Sequence, residues 1–243
     1  MDRELKYSQS FYVRNWTSDN FIIYFRVITA MLWMAFYLMV QSSFPLVYNV
    51  LYASHWTLFL TTASSAYNAF ASLEITRPIF KKYERLRLGY LLFTLAFTLN
   101  VMSSIAFWVF LKDDLLNGHE MYYQKALFVI IHSLPTFYCI IEAMISRVAF
   151  YEDYFVHCFV ILVLYFFITL VAAVDDSVVI YSSLKWESGM KAINQKSLKY
   201  DSMGDFYKVG LFFITFTLFY YAAWKITKHR IAFALKDPNI NLL

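Results

Sequence analysis

The sequence predicts an all-α polytopic membrane protein, a bundle of six transmembrane helices, and three observations carry that prediction. Hydrophobic residues make up 60% of the 243-residue chain, the mean hydropathy is +0.50, and charged residues amount to only 16%; soluble domains average about a quarter charged. Six windows are long and apolar enough to cross a bilayer core about 30 Å thick, which takes roughly 20 helical residues at about 1.5 Å each. The basic residues, finally, are spread unevenly over the loops that join those windows. No Pro/Gly/Ser-rich linker, low-complexity tract or internal repeat divides the chain, so residues 1–243 are read as a single transmembrane domain.

The opening stretch MDRELKYSQSFYVRNWTSDN lacks the short apolar run and small-residue cleavage site of a signal peptide, so the first span, about 24–46, is expected to be retained. Arg26 lies near its start and is expected to snorkel to the headgroups, as is Lys125 near the start of the fourth. The remaining spans are about 55–75, 88–111, 122–146, 154–174 and 206–227. Six spans put both termini on one side. With the termini cytosolic, that face takes fourteen of the 21 basic residues. Five of them come from the loop Arg77 to Gly89, short enough to obey the positive-inside rule. The longer polar loop Lys185 to Asp205 dissents. Asn15-Trp16-Thr17, the only glycosylation sequon, is then expected to stay unused.

Composition also narrows the chemistry. The two cysteines, Cys139 and Cys158, fall in or at the edge of predicted spans and read as small apolar side chains. No disulfide framework or metal-ligand spacing is visible, and no metal or cofactor is expected. A net charge of +4 is topological information, and no nucleic-acid partner is expected. The partners implied are lipids; the sequence does not define an oligomeric state.

Polar residues inside the spans then become the candidates for function. In the second span Thr57, Thr61, Ser65, Asn68 and Ser72 recur every three or four residues, along one face of an α-helix, and should point into the bundle. Two readings stand beside each other: helix packing, with hydroxyls bonding the carbonyl one turn back and Ala66, Ala69 and Ser72 allowing close approach, or a ligand cavity. The third span adds Asn100, Ser103 and Ser104, and Asn68 and Asn100 can be satisfied by one another. In the fourth, FVIIHSLPTFYCIIEAMISR, His132 is followed by Pro135, which removes the amide that would bond the Ile131 carbonyl. A histidine inside a membrane helix reads either as functional or as a structural group bonded to a neighbouring hydroxyl.

Depth relates the two helices. Thr61 is about 9 Å, and His132 about 15 Å, from the non-cytosolic starts of their spans, so both belong to the same half of the bilayer and can meet. A hydroxyl beside an imidazole is the smallest pair competent for acyl transfer, because neutral threonine is a poor nucleophile until a base takes its proton. Asp175 and Asp176, at the end of the fifth span, are candidate orienting acids, though a solvated carboxylate is the commoner role there. Glu142 lies too far along the helix to orient His132 and is assigned to Arg147 or another basic group near the cytosolic interface. His55, His119 and His157 read as interfacial.

Three places resemble the androgen-induced, FAR-17a-like membrane protein family, which includes the androgen-dependent regulators of tissue factor pathway inhibitor. Trp56 followed by Phe59-Leu60-Thr61 looks like the family's Trp-x-Phe-Leu-Thr segment with one residue inserted. His132 and Glu142, in HSLPTFYCIIE, look like its His-x9-Glu helix. The run Tyr165 to Leu184 is similar to its fifth span and the following Tyr-Pro-x-Leu element, and Leu184-Lys185-Trp186 is similar to fungal and insect members. The likeness extends from about Ser54 to Trp186. It departs at Ala173 and Val174, where animal members carry a histidine pair, and at Ser182, where they carry proline. The resemblance implies a multipass serine/threonine-type hydrolase of lipids, cleaving fatty acid esters of hydroxy fatty acids, with Thr61 as nucleophile and His132 as base. It also points to the endoplasmic reticulum.

The expectation is therefore an intramembrane threonine hydrolase that binds a lipid ester within the bilayer. Ser64, Ser65, Asn68, Asn100 and Ser133 are the candidates for lining the cavity or donating to the oxyanion. The alternative is a non-enzymatic lipid-binding scaffold or a small transporter, although paired broken helices, common in transporters, are not apparent.

Overall fold

A computed structural model of the protein describes residues 19–43, 51–75, 83–112, 122–146, 150–175 and 201–236. The described residues form six long helices: α1 Asp19–Ser43, α2 Ala53–Ile75, α3 Tyr83–Ala106, α4 Tyr122–Ile145, α5 Tyr154–Asp175 and α6 Asp201–Lys236. At its end α3 widens into a π-helical turn, Phe107–Leu111. The all-helical class is as expected. Five of the helices are long and apolar enough to cross a membrane, through Phe21–Ser43, Leu88–Val109, Lys125–Ile145, Tyr154–Val171 and Tyr207–His229. The exception is α2, which has the length, 23 residues, while its hydroxyl and amide side chains lower its mean hydropathy.

The first helix is already formed at Asp19, five residues ahead of the apolar window 24–46, and residues 44–46 of that window lie outside the described ones. The earlier start carries Arg26 two turns into the helix, away from the end at which a basic side chain reaches headgroups.

The core gathers around α3, which packs against α2, α4, α5 and α6, while α1 lies along α2 and reaches α4 through Trp33 on Tyr138. Phe93, Leu95, Ala96, Leu99 and Met102 put α3 into one apolar cluster with Trp33 and Val40 of α1, Leu58 of α2, Ile131 and Cys139 of α4 and Cys158 of α5. On the far side of α3, Phe155 and Phe159 of α5 pack on Phe216 of α6 with ring centroids 5.3 and 6.3 Å apart. Outer faces are apolar as well: Met31 is 69% and Leu32 63% exposed on α1. An apolar outer face of this extent is unfavourable in water and suited to acyl chains.

Polar ties close the ends. The Ala53 amide, one of the unsatisfied donors at the start of α2, donates to the Tyr165 hydroxyl at 3.0 Å, and that hydroxyl donates to the Leu51 carbonyl at 2.9 Å. At the opposite end the Tyr220 hydroxyl of α6 donates to the Tyr151 carbonyl at 2.6 Å, tying α6 to the chain just ahead of α5.

Candidate functional site in the buried polar seam

The stripe on α2 points inward as its spacing predicts. Thr57, Thr61, Ser65, Asn68 and Ser72 are all buried, while Phe59, Phe70 and Leu73 on other faces are about half exposed, at 54%, 51% and 48%. Part of the stripe satisfies itself on its own helix. Thr57 donates to the Ser54 carbonyl at 3.0 Å, Thr61 to Thr57 at 2.7 Å and Ser72 to Asn68 at 2.8 Å. The packing reading thus accounts for these hydroxyls.

Thr61 has a second partner. The Asn100 amide of α3 donates to its oxygen at 2.6 Å and to the Ala96 carbonyl at 2.7 Å, and lies 3.9 Å from the Cys139 sulfur of α4. The expected pairing of Asn68 with Asn100 is therefore replaced by Asn100 with Thr61. Thr61, Asn100 and Cys139 define one level of the bundle, where α2, α3 and α4 meet.

His132 occupies another level. Its Nδ1 lies 2.7 Å from the Phe128 carbonyl, and its ring stacks on Phe107 with centroids 4.2 Å apart and planes 13° from parallel. A carbonyl can only accept, so Nδ1 carries the proton and Nε2 is left as the basic nitrogen of the neutral ring. The backbone, rather than a carboxylate, orients this imidazole. Ser104 of α3 donates to the His132 carbonyl and meets Thr136 at 2.6 Å. Helix α4 passes through Pro135 unbroken, and this donor arrives beside the carbonyl that the proline deprives of its amide.

Taken along α3, Asn100 marks the level of Thr61 and Phe107 that of His132, two helical turns or about 10 Å apart in depth. The structure does not bring Thr61 and His132 into hydrogen-bond contact: the hydroxyl bonds Thr57 and Asn100, and the imidazole bonds Phe128. Reckoning depth from the start of each span treats those starts as level. The packing staggers them, so that His132 comes within electrostatic reach of His55 at the head of α2 instead. His55, expected at the interface, is buried at 6% exposure. His157 is exposed, as expected, with Nδ1 3.1 Å from the Asp153 carbonyl.

The other candidates separate. Ser65 and Ser64 are buried with hydroxyls that find no hydrogen-bond partner, and Asn68 is buried on the same helix. Ser133 accepts from the Trp108 indole at 3.1 Å, on the partly exposed side of α4, and so faces away from Thr61. Asp175 ends α5, but its side chain lies outside the described residues, as do Asp176, His119, Arg147, the sequon at 15–17 and the segment 176–200. Among the described residues no cluster of three or more metal-binding side chains is found.

The largest departure from sequence reasoning is Arg26. Instead of snorkelling it is fully buried, with Nε donating to Glu142 Oε1 at 2.8 Å, Nη2 2.7 Å from the same oxygen, and Nη1 donating to Ser72 at 2.7 Å. Burying either charge alone is prohibitive in so apolar a setting; paired and hydrogen-bonded, they are tolerated. Glu142 thus does take a basic partner, and the partner is Arg26. The sequence held the signal, since two opposite charges each stranded in a separate apolar run can lower their desolvation penalty by meeting. Ser104, which bonds the His132 carbonyl, was already among the polar residues of the third span, whereas Phe107, which stacks on the ring, carried no mark.

Comparison of the chain with family models, with curated proteins and with solved structures finds no match. The functional reading accordingly stands on the seam itself: a buried hydroxyl that already accepts from an amide, an anchored imidazole two turns to one side of it, and a buried ion pair on the other.

Proposed function

We propose that this protein is an integral membrane hydrolase of lipid esters, in which α2 joins the five apolar helices as a sixth span. Its polar stripe faces the bundle and its apolar faces meet lipid, which is how a helix of modest hydropathy is accommodated in a bilayer. The uneven basic residues support cytosolic termini, and the resemblance to androgen-induced, FAR-17a-like proteins supports the endoplasmic reticulum and fatty acid esters of hydroxy fatty acids as the substrate class.

The observation that carries the reading is the state of His132. Fixed through Nδ1 on the Phe128 carbonyl, it presents Nε2 as a base inside the same buried seam that holds Thr61. In the proposed reaction the Thr61 oxygen attacks the ester carbonyl while its proton passes to Nε2. The carbon–oxygen bond to the alcohol then breaks, and the imidazolium returns the proton to the departing alkoxide. Water attacks the acyl-threonine, giving its proton to Nε2; the fatty acid leaves and Thr61 regains its hydrogen. The Asn100 amide, already beside the Thr61 oxygen, is the donor nearest to the negative charge that develops on the ester carbonyl oxygen as Thr61 attacks. The two turns between hydroxyl and imidazole are too far for a single water to bridge, so the reaction requires α4 to slide along α2 and α3 when the ester binds, or a chain of several waters to relay the proton.

A second reading is favoured by a specific observation. Thr61 has its donor on Thr57 and its acceptor face under Asn100, as a purely structural hydroxyl would, and the seam then serves a non-enzymatic lipid-binding scaffold or small transporter. Purified protein incubated with a panel of lipid esters and a fluorophosphonate probe separates the two. Hydrolysis that is lost in both Thr61→Ala and His132→Ala, with the probe adduct on Thr61, supports the enzyme. Equal hydrolysis in wild type and both variants rules the site out, and lipid binding without turnover selects the scaffold.

A further inference from the structure

Below the level of Thr61, toward Arg26, the seam contains buried polar atoms that the protein leaves without partners. Ser65 is one turn from Thr61 on α2 and fully buried, and its hydroxyl makes no hydrogen bond. The Tyr138 hydroxyl on α4 lies near Ser65 and near Thr29 of α1, but in bonding geometry with neither. Thr29 is engaged with its own helix, donating to the Phe25 carbonyl at 2.8 Å. One turn beyond Tyr138, Glu142 turns Oε1 to Arg26 and leaves Oε2 buried and unbonded. Asn68 and Ser72 continue the same face of α2, and Ser72 closes the cluster on Arg26.

Three unbonded groups from two helices, side by side and sealed from the surface, are unusual, because each orphan in a dry interior gives up its hydration with no hydrogen bond in return. Their chemistry is complementary: a carboxylate oxygen that accepts and two hydroxyls that donate and accept. A group that serves all of them must donate and accept at once and be small enough for a fully buried site. Water has those properties; a lipid headgroup is too large and an anion would face the carboxylate.

We propose that Ser65, Tyr138 and Glu142 form an internal water-binding site between α2 and α4, bounded by the Arg26–Glu142 pair at one end and the Thr61–Asn100 level at the other. The bound water solvates the second carboxylate oxygen, completing the hydrogen bonding of the Arg26–Glu142 pair inside an apolar bundle. It also gives the Thr61 level a wet neighbour one turn away. The water site does not depend on ester hydrolysis; where hydrolysis occurs, this water is the nearest supply for cleaving the acyl-threonine.

X-ray hydroxyl-radical labelling of the full chain in lipid nanodiscs tests it, because radicals born from bound water oxidise the side chains that touch it. Phe216, fully buried in the aromatic packing of α5 and α6, is the dry reference. Tyr138 is expected to be labelled about tenfold faster than Phe216, with incorporation of 18O from labelled water, since ordered water sits against polar rather than apolar walls. Ser65→Val is expected to bring Tyr138 down to the Phe216 rate, and Thr61→Ala to leave it unchanged. Wild-type Tyr138 labelled no faster than Phe216 overturns the proposal, whether or not the protein hydrolyses esters and whether or not Ser65→Val folds.

Discussion

Removing one partner of the Arg26–Glu142 pair tests the part of the interior that composition left hardest to foresee. In Glu142→Ala the fully buried guanidinium loses its bonds to the Glu142 carboxylate and keeps its contact with Ser72. Breaking a buried pair in this way costs about 3–5 kcal/mol, because a charge is left in low dielectric. For a chain of this size each kcal/mol lowers the melting temperature by about 2–4 °C, so a fall of roughly 6–20 °C is expected. Cys139 and Cys158 supply the readout: both are buried and free, and a thiol-reactive fluorogenic maleimide reports the temperature at which they become accessible. Arg26→Met alone should fall comparably, since it strands Glu142. The double variant Arg26→Met/Glu142→Leu removes both charges, and a buried pair exchanged for apolar side chains is commonly neutral or more stable by about 1–4 kcal/mol. The double variant should therefore melt above either single one. Additive losses, with the double variant melting lowest, would refute the pairing as the reason both charges are tolerated.

Two more outcomes are expected of the seam and the topology. Thr61→Val deletes the donor to Thr57 and leaves the Asn100 amide without its 2.6 Å acceptor, a loss of about 1–3 kcal/mol that the same thermal assay reads as several degrees; Thr61→Ser keeps both bonds and should melt near wild type. An engineered glycosylation acceptor in the segment 185–200 ahead of α6 should be modified in microsomes while native Asn15 is not, and the reverse pattern would invert the orientation.

Much of the architecture is legible in the sequence because hydropathy over about 20 residues answers to the thickness of a bilayer, whatever the neighbours. The helices begin and end within a few residues of most of the apolar windows. The inward face of α2 is equally readable, since the spacing of Thr57, Thr61, Ser65, Asn68 and Ser72 is a property of one helix alone. Arg26 is misplaced by hydropathy because its helix starts at Asp19, five residues before the apolar window, and because its partner lies on a helix more than a hundred residues away.

The sequence by itself determined which segments are helical, which of their faces are apolar, and which polar side chains have to be hidden from lipid, because these depend on periodicity and on the cost of desolvating a polar group. Only the tertiary structure decided who meets whom. The stagger of α3 and α4 against α1 and α2 puts Asn100 beneath Thr61, lifts His132 to Phe107 and His55, and closes Glu142 on Arg26. That stagger arises from side chains interlocking along α3, and a shift of one turn, about 5.4 Å, would leave every helix prediction intact while exchanging every partner in the seam.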